Sequence, residues 1–215
     1  MVDRGGRGRG RTGSAPRLDD GRTALLHGGE DPTPKLVAGA RRLAAAGADF
    51  IVVPCNTAHA FLPRVAAEVS IPFVSMIEET ARHVAELIGP NESAGVLASA
   101  GTVTSGLYQQ ALERHGRRAL VPSEAAQRGV TAEIAAVKAG NTSASATALA
   151  LPAAQELIAA GARVLLAACT ELPLILSPSD FSVGLVDPTG VLAAAAVRRA
   201  LAVEHEEASA DVITA

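Results

Sequence analysis

Aromatic residues make up 2% of the 215-residue sequence, with no tryptophan and one tyrosine. Proteins that bind nucleic acids combine basic surfaces with aromatic side chains on which bases stack. This chain carries a formal net charge of −3 and has few such stacking residues. We therefore expect no nucleic-acid partner and predict a small-molecule ligand instead.

Long hydrophobic runs are also absent. The longest apolar stretches, Val164 to Cys169 and Val191 to Val197, are much shorter than the roughly 18 residues of a membrane-spanning helix. Residues 1–20 contain no apolar core of a secretory signal. Cys55 and Cys169 are the only two cysteines, which is too few for a disulfide scaffold. These features predict a cytoplasmic protein with free thiols and no membrane partner.

Apolar residues are nevertheless abundant, at 48% of the chain, and they alternate between strand-like and helix-like patterns. The first helix is predicted from Thr33 to Ala46, with Asp31 as its N-cap, Pro32 at its first position and Gly47 ending it. Short apolar runs predict strands at 50–53, 73–75, 94–98, 119–121, 164–167 and 183–186. This alternation predicts an α/β fold with mainly parallel sheets, in which ligands bind at the carboxyl ends of strands.

Two stretches of the chain repeat the same order of helix, Gly-Ala, four apolar residues and cysteine. Gly47 precedes Cys55 by eight residues, and Gly161 precedes Cys169 by the same number. The repeat predicts two pseudo-symmetric α/β lobes whose thiols face each other across one cleft. We assign residues 21–92 and 189–205 to the first lobe, 93–188 to the second, 1–20 to a disordered basic tail and 206–215 to a second tail.

Two opposed thiols suggest a particular chemistry. Unpaired N–H groups and the positive end of the following helix are expected to lower a thiol pKa and favour the thiolate. Inverting a carbon centre requires one group to remove a proton and a second to deliver one to the opposite face. The alternative is that each cysteine is a small buried hydrophobe. The sequence has no Cys-x-x-Cys pair or clustered histidines, so no metal site is predicted.

Residues 54–59 read Pro-Cys-Asn-Thr-Ala-His, and residues 168–173 read Ala-Cys-Thr-Glu-Leu-Pro. Together with the Gly-Thr loop at 99–108, they resemble the paired signatures of the aspartate/glutamate racemase family, over roughly Gly21 to Leu201. The resemblance implies a cofactor-independent racemase of two lobes, with Cys55 and Cys169 as acid and base. It also implies a dicarboxylic amino acid as substrate and a homodimer as the usual assembly.

Further residues are predicted to bind the substrate. Small polar side chains at strand-to-helix turns suit a carboxylate: Asn56, Thr57, Thr102 and Thr170. For Thr57, helix capping is the alternative. Arg22 and Lys138 occupy positions where the family's aspartate racemases carry their substrate-recognising Arg and Lys, which implies contact with the distal carboxylate. Lys138 is otherwise an ordinary charge at a helix C-terminus.

Two residues near the cysteines have two interpretations each. His59 lies one turn past Cys55 and either orients the thiol or packs in the core. Glu171 follows Cys169 by two positions and either tunes that thiol or caps the turn. The two lysines, Lys35 and Lys138, are not at strand ends, which argues against pyridoxal phosphate as a cofactor.

The sequence departs from the family in one respect. Members normally begin with a strand that runs into a Gly-Gly-x-Gly-Pro turn, and no such segment precedes Arg22. We therefore expect the first lobe to lack this strand, with poor folding or impaired activity of the chain as given. The alternative functions are a homologue that binds acidic amino acids without turnover and a related hydantoin racemase or maleate isomerase.

Overall fold

A computed structural model describes the backbone of residues 28–143 and 148–213, with side chains described as far as residue 202. The predicted tail at 1–20 and Arg22 lie outside this part. Helices and strands alternate along it in the order α1 (Thr33–Ala45), β1 (Ile51–Val52), α2 (Leu62–Ala66), β2 (Phe73–Val74), α3 (Met76–Leu87), β3 (Ser93–Ala98), α4 (Ala100–Thr104), α5 (Leu107–Arg114), β4 (Arg118–Leu120), α6 (Glu124–Lys138), α7 (Leu151–Ala159), β5 (Ala162–Ala168), β6 (Gly184–Val186) and α8 (Pro188–Ile213). Short 3₁₀ helices occur at Thr57–Ala60, Leu172–Leu174 and Pro178–Asp180.

The strands form two sheets. Strands β1 and β2 pair in parallel, and the larger sheet has the order β4-β3-β5-β6 with every pair parallel. All six predicted strands are present, and their ends differ from the predicted ones by at most two residues. The predicted α/β fold with parallel sheets flanked by helices is therefore confirmed.

Local signals explain where the repeated helices and strands begin and end. Asp31 Oδ1 accepts a hydrogen bond from the backbone N–H of Thr33 at 3.0 Å, at the start of α1. Gly47 and Gly161 stand between a helix and a strand in the two repeats, with φ of +81° and +98°. Because a side chain is strained at positive φ, glycine suits both turns. The sequence repeat is thus also a repeat of backbone conformation.

Helices cover both faces of the larger sheet. One face packs against α3 and α5, and the other packs against α6 and α7. Gly95 on β3 lets α7 approach closely, because a Cβ there would lie 2.7 Å from Leu165 Cδ2 and 3.0 Å from Leu157 Cβ. Helix α3, predicted in the first lobe, thus contributes its buried side to the core of the larger sheet.

The first lobe has a separate and smaller core, formed by α1, α2 and the β1–β2 pair. Helix α8 packs beside α3, and Arg198 on α8 forms an ion pair with Glu79 on α3 at 3.0 Å. Within the described part of the chain, no helix is both long and apolar enough to cross a membrane.

Candidate active site

Both cysteines follow the carboxyl ends of parallel strands, as predicted. Ala98 pairs with Ala168, so the loops after β3 and β5 leave the sheet side by side and place Ser99 next to the Cys169 loop. Cys55 follows β1, and its loop runs into the 3₁₀ helix Thr57–Ala60. This short helix contacts α4, which joins the two lobes at this edge of the sheets.

Three buried hydroxyl groups connect the Cys55 loop to the second lobe. Thr57 Oγ1 lies 3.1 Å from Ser99 Oγ and 2.9 Å from Thr102 Oγ1, and the last two are 3.1 Å apart. Three hydroxyls carry three protons, so a closed ring of three hydrogen bonds satisfies all of them. Thr57 therefore contacts the other lobe and does not cap its helix, while Ser99 caps α4 by accepting from the Thr102 N–H at 3.4 Å.

A second contact between the lobes involves Asn56. The buried Tyr108 on α5 donates its hydroxyl hydrogen to Asn56 Oδ1 at 2.6 Å. Burial raises the pKa of Tyr108 well above its usual range. Neither Tyr108 nor Ser99 was predicted as a site residue, although Tyr108 is the only tyrosine of an aromatic-poor sequence and both lie in the Gly-Thr loop segment. The presence of this single tyrosine in the loop segment could have indicated a role at the site.

His59 is buried, and both of its ring nitrogens contact the backbone. Nε2 accepts a hydrogen bond from the Met76 N–H at 3.0 Å, so the ring proton lies on Nδ1 and is donated to the Cys55 carbonyl at 2.9 Å. Burial lowers the pKa of His59, which favours this neutral form. His59 is thus packed in the core, and its ring also holds the Cys55 backbone carbonyl.

Glu171 makes direct contact with the second cysteine. Cys169 Sγ donates to Glu171 Oε2 at 2.9 Å, and Thr170 Oγ1 donates to the same oxygen at 3.2 Å. Lys138 Nζ, at the end of α6, forms an ion pair with Glu171 Oε1 at 3.9 Å. The structure thus brings Lys138, Thr170 and Glu171 together around Cys169.

The expectation that helix ends lower the thiol pKa values was wrong in its net direction. Burial raises the pKa of Cys55, because protein atoms surround the thiol although the residue is exposed at the surface. Backbone N–H groups of Ala58 and Thr57 lower that pKa, but by less. Burial, followed by the hydrogen bond and charge of Glu171, raises the pKa of Cys169 to about 12. Desolvation therefore outweighs the helix ends.

The same two charged residues, Lys138 and Glu171, act on both cysteines. Lys138 lowers the pKa values of both thiols, and Glu171 raises both. The prediction that neither lysine lies at a strand-end site is wrong for Lys138, because its side chain reaches Glu171 although its Cα lies on a helix. The other lysine, Lys35, is paired with Glu30 at 2.9 Å on the first lobe.

One predicted site residue, Arg22, lies outside the described residues. Among residues 28–143 and 148–202, no group of three or more His, Cys, Asp or Glu side chains is arranged to hold a metal ion.

Comparison with known proteins assigns the chain to a family. The family model of Asp/Glu/Hydantoin racemases matches residues 14–196. The chain belongs to this family. A broad specificity amino-acid racemase of Bacillus subtilis, RacX, is 31% identical over 167 residues, which cover 78% of this chain and 71% of RacX. The relatives to which this chain is compared are thus amino-acid racemases.

Solved structures agree with this assignment. The aspartate racemase of Picrophilus torridus is 28% identical with a TM-score of 0.73, and the match covers 84% of this chain and 74% of the other. An aspartate racemase homologue from Pyrococcus horikoshii is 25% identical with a TM-score of 0.67, over 78% and 74% of the two chains. The predicted two-lobe fold is therefore shared with known members of the racemase family.

Proposed function

We propose that this chain racemises an acidic amino acid by proton transfer between Cys55 and Cys169, without a cofactor. One observation carries the proposal: both thiols follow the carboxyl ends of parallel strands and respond to the same Lys138–Glu171 pair. Two proton-transfer groups that share one electrostatic environment can act on a single bound molecule.

In the proposed reaction, one cysteine thiolate removes the α-proton from one face of the substrate. The thiol of the other cysteine then donates its proton to the opposite face, which inverts the centre. An α-proton is a weak acid, so a thiolate of raised pKa is a better matched base than an ordinary one. The raised pKa values of both cysteines therefore make the thiolate scarcer but more basic.

The polar residues of the site suit the carboxylates of such a substrate. We assign the α-carboxylate to Asn56, Thr57 and Thr170, which directly follow the cysteines in sequence, and to Thr102, which is hydrogen-bonded to Thr57. Breaking one hydrogen bond of the hydroxyl ring frees a donor for a charged carboxylate, which forms the stronger bond. Lys138, with 39% of its side chain exposed, is assigned to the distal carboxylate together with Arg22.

The direct test measures racemisation of aspartate and glutamate in D₂O for the native chain, Cys55→Ser and Cys169→Ser. General acid–base groups contribute about 10²- to 10⁴-fold, so each variant should lose at least about 100-fold in kcat/KM. Thermal melts check that each variant folds. Full activity of either variant would refute the two-cysteine mechanism.

Substrate profiling separates this proposal from the related functions. Lys138→Gln should weaken turnover of dicarboxylic amino acids more than that of monocarboxylic ones, because only the former pair with the ammonium. A native preference for monocarboxylic amino acids or hydantoins would contradict the proposed substrate class. Calorimetric binding of aspartate without turnover would instead support a non-catalytic homologue. We further propose that the protein is a homodimer, which sedimentation of the purified chain tests, and that it is cytoplasmic, which cell fractionation tests.

A further inference from the structure

The Glu171 carboxylate lies between the Cys169 thiol and the Lys138 ammonium. One oxygen accepts from Cys169 Sγ at 2.9 Å and from Thr170 Oγ1 at 3.2 Å, while the other faces Lys138 Nζ at 3.9 Å. Only 17% of the Glu171 side chain is exposed, so solvent screens these interactions incompletely. Each oxygen of the carboxylate thus faces a donor or a cation.

This arrangement restricts the protonation state of Cys169. A thiolate has no proton to donate, and at 2.9 Å from an ionised carboxylate oxygen it would be repelled. An ionised Glu171 therefore strongly disfavours the Cys169 thiolate. The direction of its pKa agrees, since Glu171 adds to the effect of burial, and Lys138 and a backbone N–H oppose both only partly.

Cys55 has neighbours of the opposite kind. Backbone N–H groups of Ala58 and Thr57 favour its thiolate, and so does the charge of Lys138. Burial and the more distant charge of Glu171 oppose them. Burial raises the pKa of Cys55 most, but nearby backbone N–H groups and Lys138 oppose it, whereas at Cys169 an acceptor holds the thiol hydrogen.

We propose that Glu171 is a positioning residue that holds Cys169 as the proton donor of the substrate-free protein and leaves Cys55 to become the thiolate. This proposal rests on the two-cysteine racemase function. When the Cys55 thiolate takes the α-proton, the substrate C–H bond breaks and an S–H bond forms at Cys55. The Cys169 S–H bond then breaks as a C–H bond forms on the opposite face.

That turnover leaves a Cys169 thiolate beside the Glu171 carboxylate. Their repulsion favours the uptake of a proton from water by Cys169, while Cys55 releases its proton to water. Glu171 thus returns the pair to its starting state after one direction of the reaction, and the two cysteines are unequal although the sequence repeat makes them look equivalent.

The test uses alkylation by iodoacetamide, because only the thiolate reacts. Cys55→Ser leaves Cys169 as the single thiol, and Cys169→Ser leaves Cys55. Each is prepared with and without Glu171→Gln, and modification is followed by mass spectrometry across pH. Besides Glu171, the titratable groups that act on Cys169 are Lys138 and Tyr108, and neither is altered.

Loss of the Glu171 charge lowers the Cys169 pKa, and we expect roughly tenfold more thiolate near pH 8. Because nucleophilicity falls with pKa, we expect alkylation of Cys169 to be about threefold faster with Glu171→Gln. Cys55 should respond less to the same change. With Glu171 intact, Cys55 should react faster than Cys169.

Alkylation of Cys169 that is unchanged or slower with Glu171→Gln would overturn the proposal, and so would equal reactivity of the two native cysteines. Glu113→Gln, an exposed site on α5, is the matched control and should change neither rate. If Glu171→Gln fails to fold, Glu171→Asp replaces it. This variant retains the charge, but its side chain is one methylene shorter, so the carboxylate lies farther from the Cys169 thiol. No substrate is present, so this result is independent of whether the chain proves to be a racemase.

Discussion

The loops after β1 and β5 occupy equivalent places in the sequence repeat, yet they hold their cysteines by different means. The buried His59 fixes the backbone carbonyl of Cys55 and leaves its thiol among N–H donors. In the other loop, Glu171 accepts the thiol hydrogen of Cys169 directly. The repeat thus places each cysteine after a strand, and the residues that follow the two cysteines act on their thiols differently.

The lobes that carry these loops also differ. Helices on both faces enclose the four-stranded sheet beneath Cys169, whereas Cys55 follows a two-stranded pair with a small core. The Cys55 loop is therefore anchored onto the larger lobe through Thr57 and Asn56. The larger second lobe therefore helps to position Asn56 and Thr57 of the first lobe.

The largest effect is expected from His59→Ala. The change removes a buried ring and leaves the Met76 N–H and the Cys55 carbonyl without their partner. Such losses typically cost about 2–4 kcal/mol in the free energy of unfolding. Urea denaturation measures this, with the half-exposed His83 on α3 as the matched control. A change no larger than that of His83→Ala would mean that the ring does not hold the Cys55 loop.

The burial of His59 also predicts that the free energy of unfolding decreases at acidic pH. Its pKa is lowered below 6.5 by burial, so the unfolded chain binds a proton before the folded one does. Stability is therefore full above about pH 6.5 and falls as pH decreases, by at most about 1.4 kcal/mol per pH unit for one proton. Urea titrations of the native chain and of His59→Gln would show the difference. An identical decrease at acidic pH in both proteins would assign the loss to other groups.

Much of the fold could be predicted from short-range patterns. Gly47 and Gly161, with the apolar runs after them, located β1 and β5 and both cysteines, because strands and left-handed turns leave clear local signals. The packing of α3 on the larger sheet was not predicted, since its apolar face fits either core.

The site was predictable in position and less so in chemistry. Cys55 and Cys169 were located by the repeat, but their pKa shifts depend on desolvation, which no local pattern contains. Tyr108 lies 52 positions from Asn56 in sequence, so their hydrogen bond could not be derived from spacing. Contacts across the lobes require the tertiary structure.

A smaller effect is expected from Tyr108→Phe, which tests the hydrogen bond between the two lobes. The variant keeps the buried ring but leaves Asn56 Oδ1 without its donor, at a cost of about 1–2 kcal/mol. Racemisation should show a raised KM, because Asn56 loses its fixed orientation. Steady-state kinetics and urea denaturation measure the two effects. Unchanged KM would indicate that Asn56 does not contact the substrate.

The smallest predicted effect concerns the hydroxyl ring that joins the lobes. Thr57→Val and Thr102→Val each remove one member of a three-membered ring, so the second change costs less once the first has broken it. A double-mutant cycle in urea should give a coupling of about 0.5–1 kcal/mol. Thr131, whose hydroxyl accepts from Gln127 at 3.4 Å instead, provides a control pair with Thr57 that should be additive. Additivity of Thr57 and Thr102 as well would mean that the hydroxyls act singly, and the Cys55 loop would then be anchored by Asn56 and His59.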